Sequence, residues 1–422
     1  MQRLLGASEH TAWLHDRDRP LHFVLTAQIA GEIDVTDVKR SLLCVQQKHP
    51  LLRTRIVVDK NEQPMFVSEG VSEIPLRVLE RRDEEHWCRE VERELHQPFD
   101  WEHEPLLRVV LLHSKHISEL ILICYHSIGD GLSSLYLIQD ILMEMSEPCA
   151  IPSTLPPQPF LEAMLHQSDR RKVNPFLWTL ARIGRIPIKS SMSPYPTRQP
   201  RLLYWSLTPT ETAALITRSR QEQTTVHGAL CATMLSAIAS QSSNGQSHFK
   251  CLSPISIRDY LSPCIGRDFG FYFSLGITNH PIYPDTSLWE IARQVKMQLE
   301  PQMSRDSLFG DVSLRQAFLA SKPSPQKIMA AFLQRFESDA MVTNLGRAGI
   351  AQQFGKLKLK AVYGPAVFTG MHWERILGVT TLGDRMFFTL AYSESSMSQM
   401  EANKLKHVII EQLRSFVAKS LR

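Results

Sequence analysis

Two mixed α/β lobes with a cleft between them are what this sequence predicts, and three observations predict them. Strand-like and helix-like patterns alternate through both halves of the 422 residues, more than one domain's usual length. A stretch rich in Pro, Ser and basic residues at 186–201 separates the halves. The composition, 43% hydrophobic and 21% charged, is that of a globular protein with sizeable cores. The expected division is an N-terminal lobe at 1–185, a linker at 186–201 and a C-terminal lobe at 202–422. No internal repeat and no low-complexity tract is present.

In the first half, the apolar run at 21–29 reads as a strand. Asp34 or Thr36 can cap a helix whose apolar positions include Val35, Val38, Leu42 and Val45. Pro50 breaks it before a strand near 53–58. Residues 83–95 form a polar amphipathic helix. Strands at 106–112 and 120–125 are joined by the polar turn 113–118. Leu132, Leu135, Tyr136, Ile138 and Leu142 mark a helix with one apolar face. Prolines make 148–159 a loop, and a helical stretch follows at 160–183, interrupted near Pro175.

The second half restarts with a strand at 202–207. Thr208-Pro-Thr-Glu211 has the form of a capping box, with Pro209 in the first helical position where its missing N–H does no harm. Helices are expected at 211–220, 226–240, 287–299, 326–337 and 398–417. Strands are expected at 249–257, 269–277, 340–343, 356–363, 376–381 and 386–392.

Function is concentrated in Tyr125-His126-Ser-Ile-Gly-Asp130-Gly131. An apolar strand delivers an imidazole at its end, where its position is fixed and a proton can be removed near neutral pH. The bland reading is a structural histidine with its hydrogen bonds satisfied. Against it, Gly129 and Gly131 allow a tight turn and close backbone approach, and the following helix offers free N–H groups. The Gly129-x-Gly131 spacing also loosely fits a dinucleotide fingerprint. That motif needs a second parallel strand, and the proline-rich loop takes its place. No GxSxG elbow, HExxH or paired Cys/His spacing is present, so neither a typical α/β-hydrolase nor a metal site is indicated.

The motif resembles HHxxxDG of the condensation-domain and chloramphenicol-acetyltransferase-like acyltransferase superfamily. Other segments fall in the family's order: Leu5-Gly-Ala-Ser-Glu-His10, Gln47-Lys-His-Pro-Leu-Leu-Arg53, Pro254-Ile-Ser-Ile-Arg258 and Val342-Thr-Asn-Leu-Gly346. The length, with no attached carrier domain, is most similar in type to free-standing polyketide-associated acyltransferases of the phthiocerol dimycocerosyl transferase kind. Tyr125 stands where the family has its first His, and His126 matches the catalytic second one. Asp268-Phe-Gly270 resembles the DFGWG segment of plant relatives but lies too early in the chain, and is set aside as coincidence.

The resemblance implies two chloramphenicol-acetyltransferase-like lobes, each a mixed β-sheet with flanking helices, and a substrate tunnel between them. It implies acyl transfer from a thioester to a hydroxyl or amine of a lipid, polyketide or other secondary metabolite, with His126 as general base. Asp130 would pair with Arg258 to lock the turn, Gly131 N–H would face the oxyanion, and Tyr125 would support the site. Thr343 and Asn344 are candidate substrate-binding residues; Met371, Trp373 and His280 are weaker ones. No permanently bound cofactor and no metal are expected. The donor is acyl-coenzyme A or a phosphopantetheine-linked acyl group, so an acyl carrier protein is a candidate partner beside the small-molecule acceptor. Its docking surface would use basic residues such as Arg170, Arg171, Lys172, Arg347, Lys356, Lys358 and Lys360. The alternative is a non-catalytic condensation-like module that binds a carrier protein.

A net charge of +4 is too small to argue for nucleic acid. Seven dispersed cysteines without a CxxC pair read as reduced thiols. The first residues have no apolar stretch of signal-peptide length, and no run approaches a membrane span. A cytoplasmic monomer without a transmembrane segment is expected.

Overall fold

The computed structural model describes residues 1–148, 154–164, 175–185, 198–242, 245, 247–262, 264–371 and 373–418. Two six-stranded sheets carry the molecule. The first runs, in spatial order, Gln353–Phe354, Leu357–Val367, His22–Ala30, Ile117–Tyr125, Leu107–His113 and Leu76–Glu80. The second runs Phe273–Pro281, His248–Ser256, Ala340–Arg347, Arg375–Leu382, Arg385–Ser393 and Pro200–Leu207. A small sheet of Gln2–Leu4, Pro64–Val67 and Arg55–Val58 stands apart.

The strand that leads to His126 lies inside the first sheet, antiparallel to both neighbours; His22 faces Tyr125 across the ladder and Leu107 faces Cys124. Burial on both faces explains why Leu120 to Tyr125 are all buried and read as a continuous apolar run rather than an alternating one. The helix after the motif, Gly131–Ser146, packs on Val35–Lys48, whose N-cap Asp34 accepts the Thr36 N–H at 2.7 Å. In the second half Thr208 and Glu211 form the capping box at the head of Pro209–Gln221.

The division into 1–185 and 202–422 needs one correction. Leu357–Val367 leaves the second half and pairs antiparallel with His22–Ala30 in the first sheet, with Val362 opposite Ala27. Without it, His22–Ala30 would be an edge whose backbone N–H and C=O groups lacked partners. The same strand touches the second sheet: Thr380 Oγ1 donates to Gly364 O at 2.9 Å. One chain crossing thus ties the lobes together beside the motif.

Two helices that sequence patterning did not find, Ala7–Asp18 and Arg305–Leu319, lie against each other and, with Pro325–Phe336, stand over the junction of the lobes. The expected helix at 160–183 is a 3-10 turn at Leu161–Met164 and a helix at Pro175–Arg182, with 165–174 outside the described residues. Nearly all of the expected linker also lies outside them, and the next strand begins at Pro200 rather than 202. No helix among the described residues is long and apolar enough to cross a membrane.

Candidate active site

Ile117–Tyr125 ends in a turn closed by Ile128 N–H donating to Tyr125 O at 3.2 Å. The turn is held from outside at two points. His126 N–H reaches Leu21 O at 3.4 Å, and Ser127 Oγ donates to Glu9 O at 3.0 Å. Glycine is required at 129, because a Cβ there would stand 2.8 Å from Phe269 Cζ and 3.2 Å from Cys124 Sγ. Asp130 is extended and caps the following helix, its Oδ1 accepting Ser133 N–H at 2.8 Å.

The same carboxylate meets Arg258 as a fork: Nη1 to Oδ2 at 2.7 Å and Nη2 to Oδ1 at 3.0 Å. Tyr272 N–H adds a bond to Oδ2 at 3.0 Å. Arg258 Nη2 also donates to Ser133 Oγ at 2.7 Å, and its guanidinium lies 4.8 Å from the centre of the Tyr272 ring. Asp130 and Arg258 are both buried. Such a pair is favourable only when the remaining donors and acceptors are met, and here backbone and hydroxyl groups meet most of them.

The imidazole of His126 turns the other way. Gly129 O lies 3.1 Å from Nδ1, which assigns the proton to Nδ1 and leaves the Nε2 lone pair free. Phe273 stacks on the ring at a centroid distance of 5.0 Å; Phe23 at 4.8 Å and Phe271 at 5.8 Å lie tilted against it. Burial is the largest influence on its pKa and lowers it, against the Gly129 bond and the Asp130 charge. His126 is therefore neutral at neutral pH, the protonation state a general base needs.

His126 borders a cavity of about 350 Å³, within the range of small-ligand sites. Its walls are mostly apolar: Phe271, Phe273, Leu314, Phe318, Phe332 and Val367 among others. The N-terminal helix lines one side with Ser8, Thr11, Ala12 and His15, one helical face. His15 donates from Nε2 to Thr369 O at 2.9 Å, and burial pushes its pKa down to about 3.

Of the residues singled out from sequence, the structure brings together His126, Asp130 and Arg258. Gly131 is close to them, but it packs against the crossing chain rather than the cavity. A Cβ there would stand 2.8 Å from Leu345 Cδ2 and 2.9 Å from Pro365 Cγ. Tyr125, next in sequence to His126, points away from the cavity; it is fully buried, edge-on to Phe99 at 5.5 Å, and its hydroxyl faces the Asp16 carboxyl. Thr343 and Asn344 do not border the cavity. Met341, two residues earlier on the same strand face, does. Asn344 Oδ1 instead accepts Gly346 N–H at 2.9 Å in a turn. Met371, Trp373 and His280 also lie off the cavity lining; His280 is fully buried, with Nδ1 3.3 Å from Gln294 Oε1. Arg347, Lys356, Lys358 and Lys360 are exposed, whereas 170–172 fall outside the described residues.

Asp268-Phe-Gly270, set aside as coincidence, belongs to the site. Phe269 fills the space over Gly129. Gly270 N–H donates to Ser133 Oγ at 3.0 Å, and that hydroxyl donates to Gly270 O at 2.8 Å. Phe271, tilted against the His126 ring, and Phe273, stacked on it, follow within three residues. The aromatic run Phe269–Phe273 was the available signal.

Two family models match the chain: "Condensation domain" over residues 14–148 and "Phthiocerol/phthiodiolone dimycocerosyl transferase C-terminus" over 196–369. Tyrocidine synthase 3 of Brevibacillus parabrevis is 27% identical over 173 residues, which is 40% of this chain and 3% of that protein. Surfactin synthase subunit 2 of Bacillus subtilis (strain 168) is 28% identical over 163 residues, 37% of this chain and 4% of that one. The chain thus spans a small part of the curated relatives it matches. Among solved structures, trichothecene 15-O-acetyltransferase from Fusarium sporotrichioides superposes with a TM-score of 0.71 at 12% identity, covering 98% of this chain and 95% of the other. Polyketide synthase associated protein 5 from Mycobacterium tuberculosis gives 0.65 at 14%, covering 96% and 97%. The epimerization domain of tyrocidine synthetase B gives 0.70 at 14%, covering 99% and 97%. At these identities the structural likeness is one of fold.

Proposed function

We propose, from the condensation-domain and phthiocerol/phthiodiolone dimycocerosyl transferase models that match the two halves, that the chain is an acyltransferase of the condensation-domain type and moves an acyl group from a thioester to a hydroxyl or amine. The observation that carries the reading is a neutral His126 whose Nδ1 is tied to Gly129 O and whose ring borders an apolar cavity. As the acceptor oxygen or nitrogen attacks the thioester carbonyl, Nε2 takes its proton. The tetrahedral adduct then expels the thiolate, and the imidazolium returns the proton to sulfur. The new C–O or C–N bond replaces the C–S bond, and His126 ends neutral as it began. Holding both reactants in one site supplies the remainder of the advantage.

The Asp130–Arg258 pair acts through the turn and takes no part in proton transfer, since both groups are engaged with each other and with backbone. Apolar walls favour acceptors or acyl chains of lipid or polyketide character. The donor thioester is carried on coenzyme A or on an acyl carrier protein. For the latter, the exposed Lys356, Lys358 and Lys360 on the crossing chain are a basic surface suited to an acidic partner.

Mass spectrometry of the purified protein with a panel of acyl thioesters and of alcohol and amine acceptors tests the reading. The expected result is an ester or amide together with free thiol, formed by the wild type and not by His126→Ala. Absence of product from every pairing, or equal product from the variant, overturns it.

A further inference from the structure

The cavity beside His126 is lined by three charged side chains, Asp311, Arg315 and Arg335, and acyl transfer requires none of them. Arg315 projects into it from Arg305–Leu319, on the same helical face as Leu314 and Phe318. Its Nη1 donates to Ser8 Oγ at 2.9 Å, and no carboxylate pairs with it among the described residues. Asp311, which attracts the Arg315 charge, lies one turn back on the same helix, lines the same cavity and is held in an ion pair by Arg335. Glu162 also attracts the Arg315 charge, and the Glu162 carboxylate accepts Ala7 N–H. Burial pulls the Arg315 pKa down, but a guanidinium stays charged at any working pH. Charges in such surroundings are normally paired. The donors of Arg315 not used by Ser8 belong to a residue that borders the cavity.

We infer that Arg315 anchors an anionic group, a carboxylate or a phosphate, on the substrate that fills this cavity. The matching ligand is amphipathic. Its acid sits in the guanidinium fork, and its apolar body lies along Leu314, Phe318 and Phe332 on the way to His126. The anchor selects substrates that carry an acid beside the apolar body, and neutral molecules of the same length bind less well. The proposal rests on the acyl-transfer reading for what happens at His126, and on Arg315 alone for recognition of the anion.

Two sources supply such an anion: an acid on the apolar substrate, or the phosphate of a pantetheine arm. Titration calorimetry on the full chain separates them with two matched pairs, dodecanoate against 1-dodecanol and 4′-phosphopantetheine against pantetheine. In the wild type one pair should favour its anionic member by at least about tenfold, the scale of a hydrogen bond to a charged group. Preference in the first pair assigns the acid to the apolar substrate, and preference in the second assigns it to the donor arm. Arg315→Gln should erase the preference and leave binding of the neutral member within about threefold. Arg315→Lys, which keeps the charge and loses the fork, should retain part of it. Equal binding within both pairs in the wild type, or a preference that survives Arg315→Gln, overturns the inference. His126→Ala should keep the wild-type preference. A protein that shows the preference yet makes no ester or amide would sink acyl transfer and leave the anchor standing; turnover without any preference would do the reverse.

Discussion

On one side of the turn that carries His126, Asp130 is held by the Arg258 fork and by the N–H groups of Ser133 and Tyr272. On the other, the imbalance is deliberate: His126 has one nitrogen tied to Gly129 O, aromatic rings around it, and a free nitrogen at the edge of an apolar cavity. The comparison separates what fixes a base from what lets it act. A fully bonded polar network has one arrangement and so sets position. An apolar wall has few hydrogen bonds to offer a proton donor, so an acceptor hydroxyl there finds Nε2 as its partner. Gly129 belongs to both sides, since its carbonyl orients the base and its missing side chain admits Phe269.

Substitutions should therefore sort by side. His126→Ala should leave the unfolding temperature nearly unchanged and lower turnover by about two to four orders of magnitude, the range for losing general-base catalysis. Steady-state rates beside a thermal melt decide this; near-wild-type turnover would remove His126 from its role. On the locked side, Asp130→Ala or Arg258→Ala should cost about 3–5 kcal/mol of stability, because each leaves a buried charge alone. The double variant should recover part of that loss. Strictly additive costs in a denaturant double-mutant cycle would show the pair to be uncoupled.

How much of this was legible in the sequence differs by side as well. The motif strand and the helix after it could be read because burial leaves a continuous apolar run and a single apolar helix face. Asp130 with Arg258 came from the order of family-like segments; nothing in their separation of more than a hundred residues reveals contact. The cavity side was largely hidden. Arg305–Leu319 has Gly310 in its middle and turns part of one face to a cavity rather than a core, which blurs the apolar period. Leu357–Val367 was recognisable as a strand, but which sheet it joins depends on a partner edge far away in the chain. Thr343 was placed near substrate by resemblance, whereas the cavity boundary falls at Met341 on the same strand.

A smaller effect tests the contact between the two sides. Gly131→Ala would bring a methyl within 3 Å of Leu345 on Ala340–Arg347 and of Pro365 on the crossing chain. Overpacking of this kind costs about 1–3 kcal/mol. Chemical denaturation should show that loss. A stability equal to wild type would mean that Leu345 yields freely and that the crossing chain does not brace the turn.

An effect visible only as a pH dependence concerns the residues behind Tyr125. Asp16 Oδ1 accepts Leu21 N–H at 2.6 Å, and Leu21 O in turn takes the backbone N–H of His126. The Asp16 carboxyl also faces the Tyr125 hydroxyl. Burial raises its pKa to about 6, from the ordinary 3.8, against the Leu21 and Tyr125 bonds and the charges of Arg198 and Arg108. A carboxyl whose folded pKa lies above its unfolded one stabilises the fold through its neutral form. That contribution is complete below pH 3.8 and is lost as pH rises through 6. Asp16→Asn keeps a neutral group with an oxygen for Leu21 N–H, so it should not show the loss. The difference in stability between variant and wild type should be small and flat below pH 4, shift in favour of the variant between pH 4 and 7, and level off by pH 8 at a gain of up to about 3 kcal/mol. Melting curves across that range read it directly. A difference that stays constant with pH would mean that Asp16 titrates alike in both states, and that the carboxyl bracing Leu21 carries its charge throughout.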